Sequence, residues 1–143
     1  MSKIYSFAPT AIAIVFSAII FYIIDRTTAP IGYYDKCKDI NTQGTILFHH
    51  IIAIFAQFGW LSNNRYVLVS YLFIPIILIT HWKTNENKCE ITEKVRKRCG
   101  TLYFRDLLYF IGLKKHKYYN LMYSLYLSFF WLIALYKLYS NHL

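Results

Sequence analysis

Five side chains of this sequence could do chemistry together if the fold gathered them: His49, His50, His81, Cys89 and Asp25. A neutral imidazole nitrogen ligates haem iron well, so two histidines on neighbouring helices could hold a haem. Histidines joined by a cysteine thiolate offer the nitrogen and sulfur donors that zinc prefers. A histidine beside a carboxylate could relay protons near neutral pH. For zinc the spacing is irregular, because the three cysteines form no C-x-x-C pair and Cys89 and Cys99 are separated by nine residues. That odd number excludes a full disulfide framework, and Cys37 alone reads as an ordinary reduced thiol.

The elements that must position these groups are membrane helices. Of the 143 residues, 57% are hydrophobic and 20% aromatic, above the roughly 45–50% apolar share of soluble domains. Four charge-free apolar runs occupy about 7–24, 45–61, 66–82 and 118–136. Each approaches the roughly 20 residues that a helix needs to cross a bilayer. The first run is expected to be a retained span, since no cleavage site follows it. Pro75 predicts a kink in the third, tolerable where a neighbouring helix satisfies the freed carbonyl. A fifth run, at about 101–113, is too short to span and contains Arg105 and Asp106, so it reads as an interfacial amphipathic helix. The expected fold is therefore an all-α integral membrane protein, one polytopic domain over 1–143, with four transmembrane helices and one interfacial helix.

Basic residues are distributed very unequally along this path. One side of the membrane would carry only Lys3, Arg65 and Lys137; the other would carry the remaining thirteen Lys and Arg. The positive-inside rule then places the basic loops in the cytosol and both termini on the far side. The net charge of +9 lies in loops between apolar runs, which points to anionic lipid headgroups as partner and not to nucleic acid. "EKVRKRCG" (93–100) reads as a topology determinant, and His116 in "LKKHK" as part of a basic edge.

All the chemistry-bearing residues fall on the basic side. Helical spacing predicts inward stripes of His50, Ala53, Gln57 and Trp60 on the second span, and of Ser70, Ile74, Ile77 and His81 on the third. Asn120, Ser124, Ser128 and Trp131 make a similar stripe on the fourth, with a small-xxx-small packing signature. Polar residues inside a membrane face the bundle interior. These stripes would bring His50 and His81 together as metal ligands with Cys89. His49 would turn towards Asp25, and Gln57 would support the site from within the bundle. The plainer reading makes the histidines anchors of helix ends.

"FHHIIAIFAQFGWL" and "HWKTNENKCEITEKVRKRCG" resemble an uncharacterised family of small four-helix membrane proteins, a domain of unknown function. That family places a histidine before a Gly-Trp in one helix. A later Cys-Pro-Leu-Thr-x-x-Glu segment is followed by a basic residue and glycine. Here His49 or His50 precedes Gly59-Trp60, and Cys89 and Thr92 match the cysteine and threonine, while Glu90 replaces the proline. The phrase "HWKTNENKC" also looks like membrane proteins encoded by large DNA viruses. The resemblance implies four helices and a shared role for the His/Cys cluster; it supplies no activity. The leading functional expectation is a non-enzymatic structural or assembly component, packing with partner subunits or as a homo-oligomer. The alternative is a membrane oxidoreductase dependent on zinc or haem iron, or a lipid-modifying enzyme, using His50, His81 and Cys89. A transporter fits less well, because no acidic residue lies at mid-membrane.

Overall fold

The computed structural model describes residues 7–86, 88–100, 105, 107–112 and 118–140, and among them the ordered structure is entirely helical. Four helices are long and apolar enough to cross a membrane: α1 (Phe7–Thr28), α2 (Ile40–Phe58, continued by a 3-10 turn at Gly59–Leu61), α3 (Arg65–Thr84) and α6 (Tyr119–Ser140). Between the last two lie α4 (Glu90–Cys99) and the single-turn α5 (Leu107–Phe110). The protein is an all-α, multi-pass integral membrane protein. Its outer surface agrees: Ile12, Phe16, Phe73, Ile77, Leu125, Phe129 and Leu132 all point outward, a belt suited to hydrocarbon.

Local signals set the helix limits. Asp39 caps α2 by accepting from Thr42 N (3.0 Å), so this helix starts five residues before the expected Thr45. Asn64 caps α3 by accepting from the backbone N–H groups of Tyr66 and Val67. The α1 helix runs four residues past Ile24, which places Asp25 in its last turn.

α1 packs antiparallel to α2, and α3 antiparallel to α6. Thr10 meets Ser62 at one end of the first pair and Asp25 meets His50 at the other. In the second pair Trp131 Nε1 donates to Leu72 O (3.0 Å) and Trp82 lies against Tyr123. The Trp131 bond falls one residue after Tyr71, whose carbonyl loses its helical donor at Pro75. Thr10 and Lys137 both reach Ser62, so the start of α1 and the end of α6 share one end of the bundle.

Two expected stripes are turned. In α6 the buried residues are Tyr123, Leu127 and Ala134, whereas Asn120 and Ser128 are exposed. In α3 they are Val67, Leu68, Tyr71 and Pro75, whereas Ser70 and Ile77 are exposed. Large rings gain more by interior packing than serine does, and their polar atoms find partners: Tyr71 Oη donates to Ala56 O and Tyr126 Oη to Gln57 O. The α2 stripe is inward as expected, with His50 and Gln57 buried.

The largest departure lies in the loops. The expected topology determinant is a helix, α4, with Glu90 and Glu93 in its first turn and Arg96, Lys97 and Arg98 in its last. That order complements the helix dipole. Gly100, at φ 70°, closes it by donating its N–H to Arg96 O. α4 packs on the first turns of α2 and on the Asp35–Cys37 turn, forming a small cap with a core of Tyr34, Cys37, Ile46, Val95 and Cys99. Of the expected interfacial helix at 101–113, only Arg105 and residues 107–112 are described, with one helical turn at α5; the rest, and His116, lie outside the described residues.

Candidate functional site

Asp25, in the last turn of α1, is fully buried, and three elements converge on its carboxyl group. Tyr34, from the connection to α2, donates its hydroxyl to Oδ2 at 2.5 Å. His50 brings Nε2 to 3.6 Å from the same oxygen, and Arg105 brings Nε to 3.7 Å from Oδ1. The Arg105 fork goes further, donating to Asp25 O (3.2 Å) and to Thr28 Oγ1 (3.0 Å). Rings of Tyr109 and Phe110 surround its guanidinium at 5.4 and 5.3 Å, and Arg26 stacks on Tyr34 at 4.4 Å. Burial, reinforced by the neighbouring carboxyl group, pushes the Tyr34 phenol above the usual tyrosine range, so it stays a hydrogen-bond donor. This centre ties α1, α2, the α1–α2 connection and the segment before α5 to one point.

The other chemistry-bearing residues are placed separately. Cys89 Sγ lies 4.0 Å from His49 Nδ1, at the N-cap of α4. Burial raises this thiol's pKa, but the His49 hydrogen bond and charge, with hydrogen bonds at Thr92, outweigh it and bring the value to about 6. His81 Nε2 accepts from Glu90 N (3.1 Å) and so caps the first turn of α4. The tandem histidines therefore divide their tasks opposite to expectation: His50 meets Asp25, and His49 meets the cysteine.

This division also dissolves the expected ligand set. His50 stands apart at Asp25, whereas His81 and Cys89 both lie at the first turn of α4, and among the described residues no three His, Cys, Asp or Glu side chains are grouped to hold a metal ion. The expected zinc set of His50 with His81 and Cys89 is not assembled. Helix rotation separates them: a 100° step between His49 and His50 selects different neighbours.

The structure adds two features that the residue pattern did not single out. Cys37 and Cys99 form a disulfide with Cα atoms 5.1 Å apart, joining residues 62 apart in sequence and fastening the end of α4 beside α2. Cys37 is therefore not the isolated thiol expected of it. Arg105 is 6% exposed; its place in an apolar run was the available signal, since a buried cation needs a partner, but the partner lies 80 residues away.

Gln57, expected to support the metal site, does something else. It is 2% exposed, and its backbone carbonyl accepts from Tyr126 Oη and Trp60 Nε1, both at 2.8 Å. Gln57 is also among the residues bordering a cavity of about 290 Å³ between α2, α5 and α6. Comparison of the chain with protein-family models, with curated proteins and with solved structures finds no match.

Proposed function

We propose that this four-span protein is a non-enzymatic structural or assembly component of a membrane. The observation that carries the reading is the Asp25 centre, whose polar arms are used in fastening one element to another. A catalytic carboxylate needs an approach for substrate, and Asp25 is sealed at 0% exposure. The outward apolar side chains of α1, α3 and α6 supply surface for partner subunits or a second copy, and the exposed lysines and arginines of the cap supply contacts for anionic headgroups. The test is the mass of the native complex extracted in mild detergent, compared between the wild type and an Arg105→Met variant. A loosened Asp25 centre is expected to release the protein from its assembly. A wild type that runs as a lone chain in every mild detergent would remove the assembly reading.

A second reading rests on the Cys89–His49 pair. A thiol with pKa about 6 at a helix N-terminus is a competent nucleophile for group transfer, of the kind a lipid-modifying enzyme uses. A thioester-forming acyl probe that labels Cys89, and fails to label a His49→Ala variant, would move the conclusion to this reading. For the metal-dependent form of that alternative, His50 stands apart at Asp25 while His81 and Cys89 share the first turn of α4.

For sidedness, we infer from the charge excess that the cap and its basic residues lie in the cytosol, with both termini opposite. The disulfide pulls the other way, because such bonds concentrate in oxidising compartments. We give the charge excess precedence because it acts during insertion, before the cap has folded. A disulfide buried at 0% and 4% exposure, once formed, resists the cytosolic thiol pool. Impermeant maleimide is expected to label Cys89 only after permeabilisation; labelling of intact cells would invert the assignment.

A further inference from the structure

We propose that the Cys37–Cys99 disulfide assembles a seat for the phosphate of an anionic phospholipid, at the edge of the bilayer that the helices cross. The bond holds two Cα atoms 5.1 Å apart and so brings together two basic stretches that lie 62 residues apart in sequence. Lys36 and Lys38 flank one cysteine, Lys97 and Arg98 immediately precede the other, and all four side chains are exposed. Nearby carboxylates answer only two of them: Asp35 lies 3.1 Å from Lys38, and Asp39 lies 3.4 Å from Arg98. Asp39 also accepts from Thr42 N as the cap of α2, so its charge is shared. Lys36 and Lys97 make no ion pair among the described residues. Cations gathered in this way repel one another until an anion joins them.

Position selects the anion. The span of α2 opens at Ile40, directly after Asp39, and this apolar residue is 85% exposed. Ile31, in the α1–α2 connection, is fully exposed as well. Basic heads beside exposed apolar side chains, at the start of a span, suit the boundary between headgroup and acyl chain. Depth agrees with this. The headgroup zone is roughly 5–8 Å deep on each side of the hydrocarbon. α4 packs on the first turns of α2 as one layer of helix, about 10 Å thick. A lipid phosphate is therefore already at the level of the four cations, whereas a soluble anion would have to be drawn from bulk water. The inference rests on the headgroup contacts proposed above and names where they are made; it uses none of the Asp25 groups.

The experiment uses the full oxidised chain in detergent. Palmitoyl-oleoyl phosphatidylglycerol is titrated in, and bound lipid is counted by native mass spectrometry, with palmitoyl-oleoyl phosphatidylcholine as the neutral probe. Lys36→Ala and Lys97→Ala each remove an exposed cation of the seat, and Lys83→Ala removes an exposed lysine outside it. Phosphatidylglycerol is expected to bind more tightly than phosphatidylcholine and to weaken about fivefold in each seat variant. Lys83→Ala should match the wild type, and reduction of the disulfide should weaken binding as the seat variants do. Equal weakening in all three variants would overturn the seat in favour of a diffuse attraction to the charge of the cap, and would leave the headgroup contacts standing. Phosphatidylglycerol no tighter than phosphatidylcholine on the wild type would overturn both. Binding unchanged by reduction would overturn the part given to the disulfide. A polyglutamate peptide that binds in place of the lipid would overturn the proposal in favour of an acidic protein partner.

Discussion

Breaking the Cys37–Cys99 bond, by reduction or by Cys37→Ala with Cys99→Ala, should loosen the cap before it touches the spans. The bond closes a loop of 62 residues, for which chain entropy gives about 14 cal/mol/K, or about 4 kcal/mol at 25 °C. That figure assumes a disordered open chain. Here α2 and α3 fill most of the loop, and spanning helices persist in detergent, so the freed entropy is smaller. We expect about 2–4 kcal/mol, roughly 5–15 °C in melting temperature for a chain of this size. The loss should be felt first in α4. Its ten residues fall below the roughly 12–15 that a helix needs to stand alone in water, and only Val95 and Cys99 of it are buried. The assay is fluorescence melting with and without reductant, paired with hydrogen exchange across 90–99. Alkylation under denaturing, non-reducing conditions should add one label, at Cys89, and after reduction three. Three labels without reductant, or equal melting temperatures for oxidised and reduced protein, would refute the reasoning.

Three other perturbations have defined outcomes. Arg105→Met or Asp25→Leu alone should cost about 3–5 kcal/mol by stranding a buried charge, while the double variant should recover most of it in the same melting assay; additive losses would mean the two groups do not act on each other. Alkylation of Cys89 by iodoacetamide should rise as pH passes about 6 and level off above 7, because the thiolate is favoured in the folded protein. His49→Ala should move that rise towards the usual 9, and a wild-type rate still climbing between pH 8 and 9 would contradict the pairing. Gly59→Ala should cost about 1–3 kcal/mol, because its Cβ would sit 2.6 Å from Tyr71 Cδ2 and 2.7 Å from Phe55 Cε2, both in packed rings. An unchanged melting temperature would show that the turn after α2 yields freely.

The spans were legible because a long apolar run has few alternatives once it must satisfy its own backbone in lipid. What faced what was less so. The α2 stripe was found because His50 and Gln57 are its polar residues and both turned inward. In α6 the same rule chose the serines, but the tyrosines are also polar and carry more surface, and Tyr123 took the interior. α4 was hidden because a cap helix in water shows charge and no apolar run; its two buried residues, Val95 and Cys99, are four apart and easily missed. The site failed on rotation and on distance. Adjacent histidines point about 100° apart, and only tertiary structure decides which meets Asp25. The Asp25–Arg105 and Cys37–Cys99 partners are too far apart in sequence for any local pattern to join them.

One helix runs through every feature described. Along α2, Ile46 sits in the cap core, His50 against Asp25, and Gln57 at the cavity, all on one face. No glycine or proline interrupts 45–58, so nothing there supplies a hinge. Eleven residues separate Ile46 from Gln57, about 16 Å of rod. The helix is in this sense a pushrod. A displacement imposed on the cap by a partner, a membrane surface or a broken sulfur bridge is carried along α2 to its far end as motion of one rigid body.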